Sequence, residues 1–398
     1  MSALESAHAR YRDRLEGLAG PEAVLAVEEA GARWGWTERR AWTRMHERFD
    51  PDREPFATCV LAAEGTPQRI VRLEAFAERR PEAGPCACLV AAGAAGRLRV
   101  TRFPSDPGLP TLERALAGSR RATVVRYRPG RRCTIRVEDE GETRFAKVYG
   151  DGAGGRAHSV GLELWRAGQR GELGFLVAEP ERFDAELQAV WHGNVAGVPA
   201  GERLRGSHGE ELARRIGRAA GTLRRATLRP HRRRDSRSEL ARAALRCSEL
   251  ERRVPGLRGP ARRLLAGLDA AHAACKPADP SPLHGALHTS QWLEDGAAVA
   301  LLDYDSLALG DPELDVATFL ADLDVENRER TPVDRLAATF LAGYEATAGE
   351  LDLRLLAAYR AERRLEKALR AARAVRPDGD RRAARRLRLA LECLGGPA

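Results

Sequence analysis

The chain has 398 residues, and its 66 basic residues exceed its 57 acidic ones, which gives a formal net charge of +9. Only Lys147, Lys276 and Lys367 among the basic residues are lysines. The densest arginine runs contain no interleaved aromatic residues that would stack on bases, so we interpret the arginine excess as a compositional bias and predict no specific nucleic-acid partner. No apolar run approaches the ~20 residues of a membrane span, which predicts a cytoplasmic protein with no membrane partner.

The seven cysteines are scattered along the sequence and include no C-x-x-C pair. The usual structural zinc sites need such paired ligands, and disulfides are rare in reducing compartments. The cysteine pattern therefore predicts reduced thiols without a zinc site, in agreement with a cytoplasmic location.

The N-terminal quarter of the chain has a mixed pattern. Residues 1–50 are helix-like and include three tryptophans, a cluster that is typical of packing. From 55 to 104, short apolar runs alternate with Gly and Pro breaks, which predicts strands of a loop-rich subdomain. The stretch 104–118 predicts a turn followed by a short helix.

The pattern becomes clearer at residues 122–149, where three strand-like runs are separated by a Pro-Gly turn and an Asp/Glu/Gly turn. This arrangement predicts an antiparallel meander. A helix-like segment follows at 157–168, and two further strand candidates lie at 176–183 and 187–193.

The second half of the chain is predicted to be mainly helical. Apolar residues recur at spacings of three and four in six segments: 209–226, 237–253, 259–275, 333–348, 351–374 and 379–394. The exception is "AAVALLDYD" (297–305), which predicts a strand between turns. A β-rich first half, a connector near 192–202 and a helical second half together predict two lobes with a cleft between them.

The sequence "GDGAGG" (150–155) fits the G-x-G-x-x-G pattern of dinucleotide-binding loops. That pattern belongs in a parallel βαβ unit, whereas the strand before it closes an antiparallel meander. We therefore predict a strand-to-helix loop at 150–155 and not a dinucleotide site.

Lys147 lies in the middle of the strand-like run "RFAKVY". In a chain whose usual cation is arginine, a single lysine in a strand suggests a compact point charge, and pairing with the phosphates of a nucleotide is one use of such a charge. Glu163 lies on the following helix, and a helix carboxylate turned towards a strand lysine is the ion pair that kinases use. The alternatives are a solvated edge-strand lysine and a surface glutamate.

The stretch from residue 283 to 305 places polar side chains around a buried strand. Asp303 ends the apolar run "AVALLD", and Gln291 precedes that run after a tight loop. A carboxylate and an amide oxygen together can bind Mg²⁺, which prefers oxygen ligands. Asp305 is expected on the same face as Asp303, because strand side chains alternate. Asp305 would then serve a second metal ion or an acceptor hydroxyl.

The segment "GDPELD" (310–315) reads as a helix start, with Asp311 as the N-cap before a proline. Asp315 lies one turn into that helix, and we expect its carboxylate to brace the preceding loop without reacting.

In order along the chain, "HGALHTSQ", "LLDYD" and "GDPELD" resemble the motifs of the aminoglycoside-phosphotransferase-like family of small-molecule kinases. That family's loop reads roughly H-G-D-x-x-x-x-N and is followed by an apolar strand ending I-D-F and by G-D-P-x-x-D. The resemblance covers roughly 110–350 and implies an α+β, bilobal protein-kinase-like fold. It divides the chain into an N-terminal extension of the small lobe (1–110), a kinase-like N-lobe (111–195) and a helical C-lobe with the catalytic loop (196–398).

The resemblance also implies a set of roles. ATP and Mg²⁺ would be the cofactors, and the acceptor would be a hydroxyl of a small molecule or a peptide. Lys147 would bind the α- and β-phosphates and Glu163 would orient Lys147. Gln291 and Asp303 would bind the metal ion, and His284 would support the loop.

Two residues depart from the family pattern. Gln291 stands where the family has Asn, with an equivalent amide oxygen. Ala286 replaces the aspartate that accepts the proton of the attacking hydroxyl. General-base catalysis is typically worth about 10²–10⁴-fold, while phosphoryl transfer depends mostly on positioning and electrostatic stabilisation. Asp305, His288 or the substrate itself would then take the proton.

We therefore expect an ATP- and Mg²⁺-dependent phosphotransferase with an atypical catalytic loop. The alternative hypothesis is a pseudokinase, a nucleotide-binding or structural module that transfers nothing. The pattern favours neither a particular oligomeric state nor ATP over GTP.

Overall fold

The chain begins with an antiparallel sheet that is preceded by three helices. In this computed structural model, residues 6–78, 82–118, 121–275, 279–326 and 333–395 are described. The helices are α1 (Ala7–Arg10), α2 (Arg12–Ala19) and α3 (Pro21–Arg33), and the strands are β1 (Thr43–Phe49), β2 (Ala57–Ala63), β3 (Arg69–Ala75), β4 (Ala87–Ala92) and β5 (Gly96–Arg102). The strands pair in the order β1-β2-β3-β5-β4.

Strand β1 corrects the helical pattern predicted for residues 1–50. Helix α3 ends at Arg33, and residues 43–49 pair antiparallel with β2, which is almost fully buried. The sequence of β1 has no strong periodicity of its own, so pairing with an apolar neighbour decides its conformation. The strands predicted between 55 and 104 are confirmed.

A second antiparallel sheet follows and carries the predicted meander. Its elements are α4 (Leu112–Ala117), β6 (Ala122–Arg128), β7 (Arg132–Asp139), β8 (Glu142–Tyr149), α5 (Gly154–Gln169), β9 (Pro180–Asp184) and β10 (Ala189–Gly193). The strand order is β6-β7-β8-β10-β9. Gly130 and Gly141 have φ values of 69° and 87° at the two hairpin turns, a conformation that glycine adopts without strain. The meander is confirmed.

The second half of the chain is mainly helical, as predicted. Its elements are β11 (Val198–Pro199), α6 (Ala200–Arg203), α7 (Gly209–Arg225), β12 (Arg233–Arg234), α8 (Ser236–Arg253), α9 (Arg258–Ala274), β13 (Ser281–Leu283), β14 (Trp292–Asp295), β15 (Ala298–Leu301), β16 (Ala308–Gly310), α10 (Glu313–Glu326), α11 (Val333–Ala348), α12 (Leu353–Ala372) and α13 (Gly379–Cys393). Each of the six predicted helices ends within about two residues of its predicted bounds. The predicted fold class, α+β with a β-rich N-lobe and a helical C-lobe, is confirmed.

Two small sheets in the C-lobe hold the polar loops. Strands β11, β14 and β15 form one, and β12, β16 and β13 form the other, in which β12 and β16 are parallel. The second sheet needs Gly310, because a Cβ at that position would collide with the carbonyl oxygen of Arg234. These sheets fix both ends of the loop 284–291 and the start of the segment that follows β15.

The N-terminal sheet contacts both lobes. Val60, Ala62 and Ile70 are part of the same apolar core as the second sheet. At the other side, the Phe49 backbone N–H donates to the Arg373 carbonyl at 2.7 Å, and Arg253 donates to the Phe49 carbonyl at 2.9 Å. The first sheet therefore connects the meander to helices α8 and α12.

None of the helices in the described part of the chain is long and apolar enough to cross a membrane.

Candidate active site

A buried aspartate holds the loop between β13 and β14. Asp315 on α10 accepts hydrogen bonds from the backbone N–H groups of His284 and Gly285 at 2.6 and 2.8 Å. Burial raises the pKa of Asp315, and these bonds oppose that effect. Gly285 has φ 76°, and a Cβ there would collide with the carbonyl oxygen of Ser306. The bracing role predicted for Asp315 is confirmed.

The same loop is tied to the strand that leads to Asp303. His284 is buried, and its Nε2 lies 3.0 Å from the Leu302 carbonyl oxygen. The Leu302 N–H donates to the Gln291 carbonyl at 2.9 Å. These two contacts place Gln291 beside the residue that precedes Asp303.

Asp311 does not cap helix α10 with its side chain, contrary to the sequence interpretation. Its carboxylate accepts hydrogen bonds from the Ser236 N–H and hydroxyl, both at 3.0 Å, and from the Tyr359 hydroxyl at 2.6 Å. These donors come from α8 and α12, which the spacing within residues 310–315 does not reveal. Asp311 therefore joins three helices of the C-lobe.

Asp303 adopts the left-handed conformation, with φ 59° and ψ 48°. Non-glycine residues adopt this region infrequently, and such residues are concentrated at functional sites. The turn directs Asp303 and Asp305 away from β15 and towards the second sheet.

Four charged side chains from the two lobes meet in the cleft. The Lys147 Nζ on β8 lies 2.6 Å from both Asp303 Oδ1 and Asp305 Oδ2. Arg132 on β7 donates to Asp305 at 2.8 Å and to Asp303 at 3.3 Å. Burial favours the neutral form of Asp303, but the charges of Lys147 and Arg132 outweigh it and hold the pKa of Asp303 well below its usual range.

Tyr149 adds a third donor to Asp305. Its hydroxyl lies 3.1 Å from both carboxylate oxygens of Asp305. Burial, together with the negative charge of Asp305, raises the pKa of Tyr149. Asp305 therefore accepts from Lys147, Arg132 and Tyr149 at once.

Glu163 is not the ion-pair partner of Lys147 in this structure. Its carboxylate accepts a hydrogen bond from the Arg229 backbone N–H, while the Lys147 Nζ pairs with the two aspartates. On α5, Gly161 faces Tyr304, and a residue two positions along a helix lies about 200° around it. Glu163 therefore points to the segment after α7 and not into the cleft.

His288 is held by a second buried aspartate. Its Nδ1 lies 3.3 Å from Asp322 Oδ2, which also accepts from the Thr289 N–H at 3.1 Å, and the other oxygen of Asp322 accepts from Lys367. Burial would raise the pKa of Asp322, but the hydrogen bond from His288 and the charge of Lys367 bring it well below its usual range. The Nε2 atom of His288 has no hydrogen-bond partner among the described residues.

Ala286 lies between the two histidines of the loop and is half-buried. Its carbonyl accepts a hydrogen bond from the His288 N–H at 2.7 Å. The loop therefore keeps a defined conformation at this position but supplies no carboxylate there. His284 and His288, each two residues from Ala286, are the titratable side chains nearest to it along the loop.

The acidic groups fit a hard cation with few protein ligands. Within the described ranges, no group of three or more His, Cys, Asp and Glu residues is arranged to hold a metal ion. Asp303 and Asp305 supply two carboxylates, and the half-buried side-chain amide of Gln291 forms no hydrogen bond with any described residue. Mg²⁺ usually takes one or two carboxylates and completes its shell with water and phosphate, so this donor set suits it.

Sequence reasoning missed Arg132, Tyr149 and Asp322. Arg132 on β7 lies opposite Tyr149 on β8, and Tyr149 is two positions along β8 from Lys147. Strand alternation therefore places these three side chains on one face of the sheet. That alternation was readable from the hairpin, whereas the contact of Asp322 with His288 spans two distant segments and had no local signal.

Two surface cavities do not include these residues. One cavity has a volume of about 360 Å³ and is lined by residues of α7 and by Val299. The other has a volume of about 600 Å³ and is lined by residues that include Arg203 and Glu294. Both lie beside the β14–β15 hairpin. The polar cleft, and not a cavity, is therefore the candidate site.

Comparison with known proteins yields a family match over part of the chain and a fold. Residues 172–356 match the family described as the phosphotransferase enzyme family. A thermostable mutant of an aminoglycoside phosphotransferase, solved with ADP and hygromycin B, aligns with a TM-score of 0.54 at 15% identity and covers 73% of this chain and 98% of its own.

Two further solved structures are similar. A choline kinase from Streptococcus pneumoniae aligns with a TM-score of 0.52 at 14% identity, covering 72% of this chain and 98% of its own. A choline/ethanolamine kinase family protein from Mesorhizobium loti gives 0.51 at 16% identity, with coverage of 70% and 90%. None of the curated proteins matches the sequence. The resemblance predicted from the sequence is confirmed.

Proposed function

Starting from residues 172–356, which match the phosphotransferase enzyme family, we propose that this protein transfers the γ-phosphoryl group of ATP to a hydroxyl of a small molecule. The observation that carries the proposal is the convergence of Lys147, Arg132, Asp303 and Asp305 from two lobes. A cation pair facing a carboxylate pair across a cleft suits a metal–triphosphate, which presents both signs of charge. A peptide hydroxyl is the other acceptor class that we considered.

The binding roles are assigned to groups that could exchange their present partners for a nucleotide or a metal ion. Lys147 and Arg132 would bind phosphate oxygens, and Asp303 and Gln291 would hold Mg²⁺, with Asp305 beside them. The metal ion, when bound, supplies charge neutralisation at the phosphates. His284 orients this set indirectly, because it bonds to the residue before Asp303.

The nucleobase has a candidate surface on the same face of the second sheet. Phe145 is two residues before Lys147 on β8 and therefore shares its face. Its ring stacks on that of His192 with centroids 5.8 Å apart and an interplanar angle of 13°. His192 lies on β10, next to the connector between the lobes. We assign this aromatic pair to the base and Lys147 to the phosphates.

His288 is the better of the two candidate proton acceptors. Because its Nδ1 is directed at the Asp322 carboxylate, the neutral ring carries its proton on Nδ1 and leaves the lone pair on Nε2. Asp305, in contrast, already accepts from three donors. We assign proton removal to His288, with Asp305 as the second candidate.

A pseudokinase is the second candidate function, and Ala286 is the observation that favours it. In that case the ion pairs of Lys147 and Arg132 with the aspartates would maintain the domain arrangement, and nucleotide would bind without turnover. The two functions differ in whether phosphate leaves ATP.

Calorimetric titration with ATP, with and without Mg²⁺, tests the binding step, and product detection on a panel of hydroxyl compounds tests transfer. We expect magnesium-dependent ATP binding. A folded protein that fails to bind ATP in magnesium contradicts both the enzyme and the nucleotide-binding pseudokinase, and binding without product on any acceptor favours the pseudokinase.

A further inference from the structure

The cleft face of the second sheet carries more positive charge than the site above uses. Cross-strand pairing aligns Arg126 with Thr134 and Thr134 with Lys147, and it aligns Arg128 with Arg132. Because side chains alternate along strands, Arg126 and Arg128 share the face of Lys147. The residues between them point to the apolar core on the other face.

Arg126 and Arg128 contact no acidic side chain among the residues that the structure describes, although Asp303 acts on both at a distance and opposes the lowering of their pKa values. Lys147 and Arg132 pair with the two aspartates, whereas the side chains of Arg126 and Arg128 form neither an ion pair nor a hydrogen bond with any described residue. Arg128 also lies directly opposite Arg132, and like charges in directly opposed positions destabilise a sheet. An arrangement of this kind is expected where a ligand supplies the missing negative charge.

The protein surroundings disfavour the charged forms of these arginines. Burial lowers the pKa of Arg126, which nevertheless keeps an exposed surface, and burial together with Arg126 and Arg132 lowers the pKa of Arg128 to about 10. Burial, with the charges of Arg128 and Arg126, lowers the pKa of His46 on β1 to about 4. Partial removal from water strengthens an interaction with an anion, and both guanidinium groups still carry their charge at neutral pH.

The order of the strands places these arginines beyond the phosphates. In the order β6-β7-β8-β10-β9, β6 is the edge strand farthest from β10 and the connector. Strands in a sheet are about 4.8 Å apart, so β6 lies roughly 10 Å past β8. With the base assigned to Phe145 and His192 and the phosphates to Lys147, Arg126 and Arg128 face the region where an acceptor approaches the γ-phosphate.

We propose, on the basis of the proposed function, that the acceptor is a small hydroxyl compound that also bears a phosphate or carboxylate group, and that Arg126 and Arg128 bind this group. Guanidinium groups bind both anions through paired N–H donors. The proposal concerns only the substrate class, and the γ-phosphoryl group still moves from ATP to the hydroxyl.

Anion binding to the protein with its nucleotide site filled tests the proposal. Wild-type protein saturated with ADP and Mg²⁺ is titrated with inorganic phosphate and, separately, with malonate as a dicarboxylate. We expect at least one of the two anions to bind. We expect R126Q/R128Q to lower the affinity for that anion at least about tenfold, with less than a twofold change in the affinity for ADP. R128K in the wild-type background should retain most of the affinity, and R12Q/R97Q, which removes two exposed arginines on α2 and β5, is the charge-matched control.

Three outcomes would contradict the proposed anion site, and a fourth would contradict the proposed function. Failure of both anions to bind the ADP-loaded wild type, or a parallel loss of ADP affinity in R126Q/R128Q, overturns the proposal, since the arginines would then serve no ligand or the nucleotide. An affinity loss in R126Q/R128Q equal to that in R12Q/R97Q also overturns it. If ADP and ATP do not bind at all, the proposed function fails. The same anion titration on the protein without nucleotide then still tests whether Arg126 and Arg128 bind an anion.

Discussion

Lys147 and Asp303 are 156 residues apart in the sequence, yet the Nζ of one and the Oδ1 of the other are 2.6 Å apart across the cleft. The pair joins a strand of the second sheet to the turn after β15. A metal ion at Asp303 would compete with Lys147 for the same carboxylate oxygen. In the proposed function, binding of a metal–nucleotide would therefore exchange this ion pair for contacts of Lys147 with phosphate and of Asp303 with the cation.

We expect D303N and K147A each to weaken magnesium-dependent ATP binding at least about tenfold, or roughly 1.4 kcal/mol. D303N removes a charged metal ligand, and K147A removes a phosphate ligand. Calorimetric titration measures both, with the exposed turn variant D139N as the control. Wild-type affinity in D303N would exclude Asp303 as a metal ligand.

We expect H288Q to lower the rate of phosphoryl transfer by about 10²–10⁴-fold, the range usual for a general base, with ATP affinity changed less than about twofold. Single-turnover kinetics separates the two quantities. D305A is the comparison variant, and a loss of at least about tenfold in D305A with wild-type rates in H288Q would move the proton acceptor to Asp305.

We expect A286D to leave transfer unchanged or slower. The new carboxylate would stand near Asp303 and the phosphates, where like charges raise its pKa or cost electrostatic energy. ATP turnover with and without acceptor is the measurement. A rise of about tenfold or more would instead indicate a degraded kinase whose missing base can be restored.

Glu239 gives a prediction about stability and pH. It is fully buried and pairs with Arg234 at 2.8 Å and Arg363 at 2.6 Å, and Arg234 in turn donates to the Gly285 carbonyl in the loop between β13 and β14. Burial favours its neutral form, but these arginines lower its pKa to about 2 from 4.5. That shift corresponds to about 3 kcal/mol of stabilisation of the folded state. This stabilisation is present above pH 4.5 and is lost as the pH falls towards 2.

We expect E239Q to lower the free energy of unfolding by about 3–5 kcal/mol at pH 7, because it leaves the buried Arg234 without its carboxylate partner and removes one of the carboxylate partners of Arg363. Urea unfolding at pH 7, 4 and 3 measures this, and the difference between wild type and variant should shrink on acidification. E142Q, on the exposed β7–β8 turn, is the control, and a pH-independent difference would contradict the assigned pKa shift.

Several features were readable from the sequence for physical reasons. Helix α7 and its neighbours carry uninterrupted amphipathic patterns, and Asp303 marks the polar end of an apolar strand. Lys147 stood out because lysine is rare in this chain. Arg132 did not stand out among 66 basic residues, although it contacts the same aspartates.

Other features depend on contacts that a local pattern does not contain. The side of α5 that faces the cleft is decided by the packing of Gly161 on Tyr304, so Glu163 was assigned to the wrong neighbour. Strand β1 owes its conformation to β2. Asp322 reaches His288 only because α10 packs beneath the loop.

The contact of the N-terminal sheet with both lobes bears on how fast ligands exchange. Lobes joined by a connector alone separate by rotation about that connector, on the microsecond-to-millisecond timescale of hinge motions. Here the main-chain bond between Phe49 and Arg373 spans the gap a second time. Wide opening of the cleft would therefore have to break this contact as well as rotate the connector, so ligand exchange would depend in part on the local stability near the end of α12.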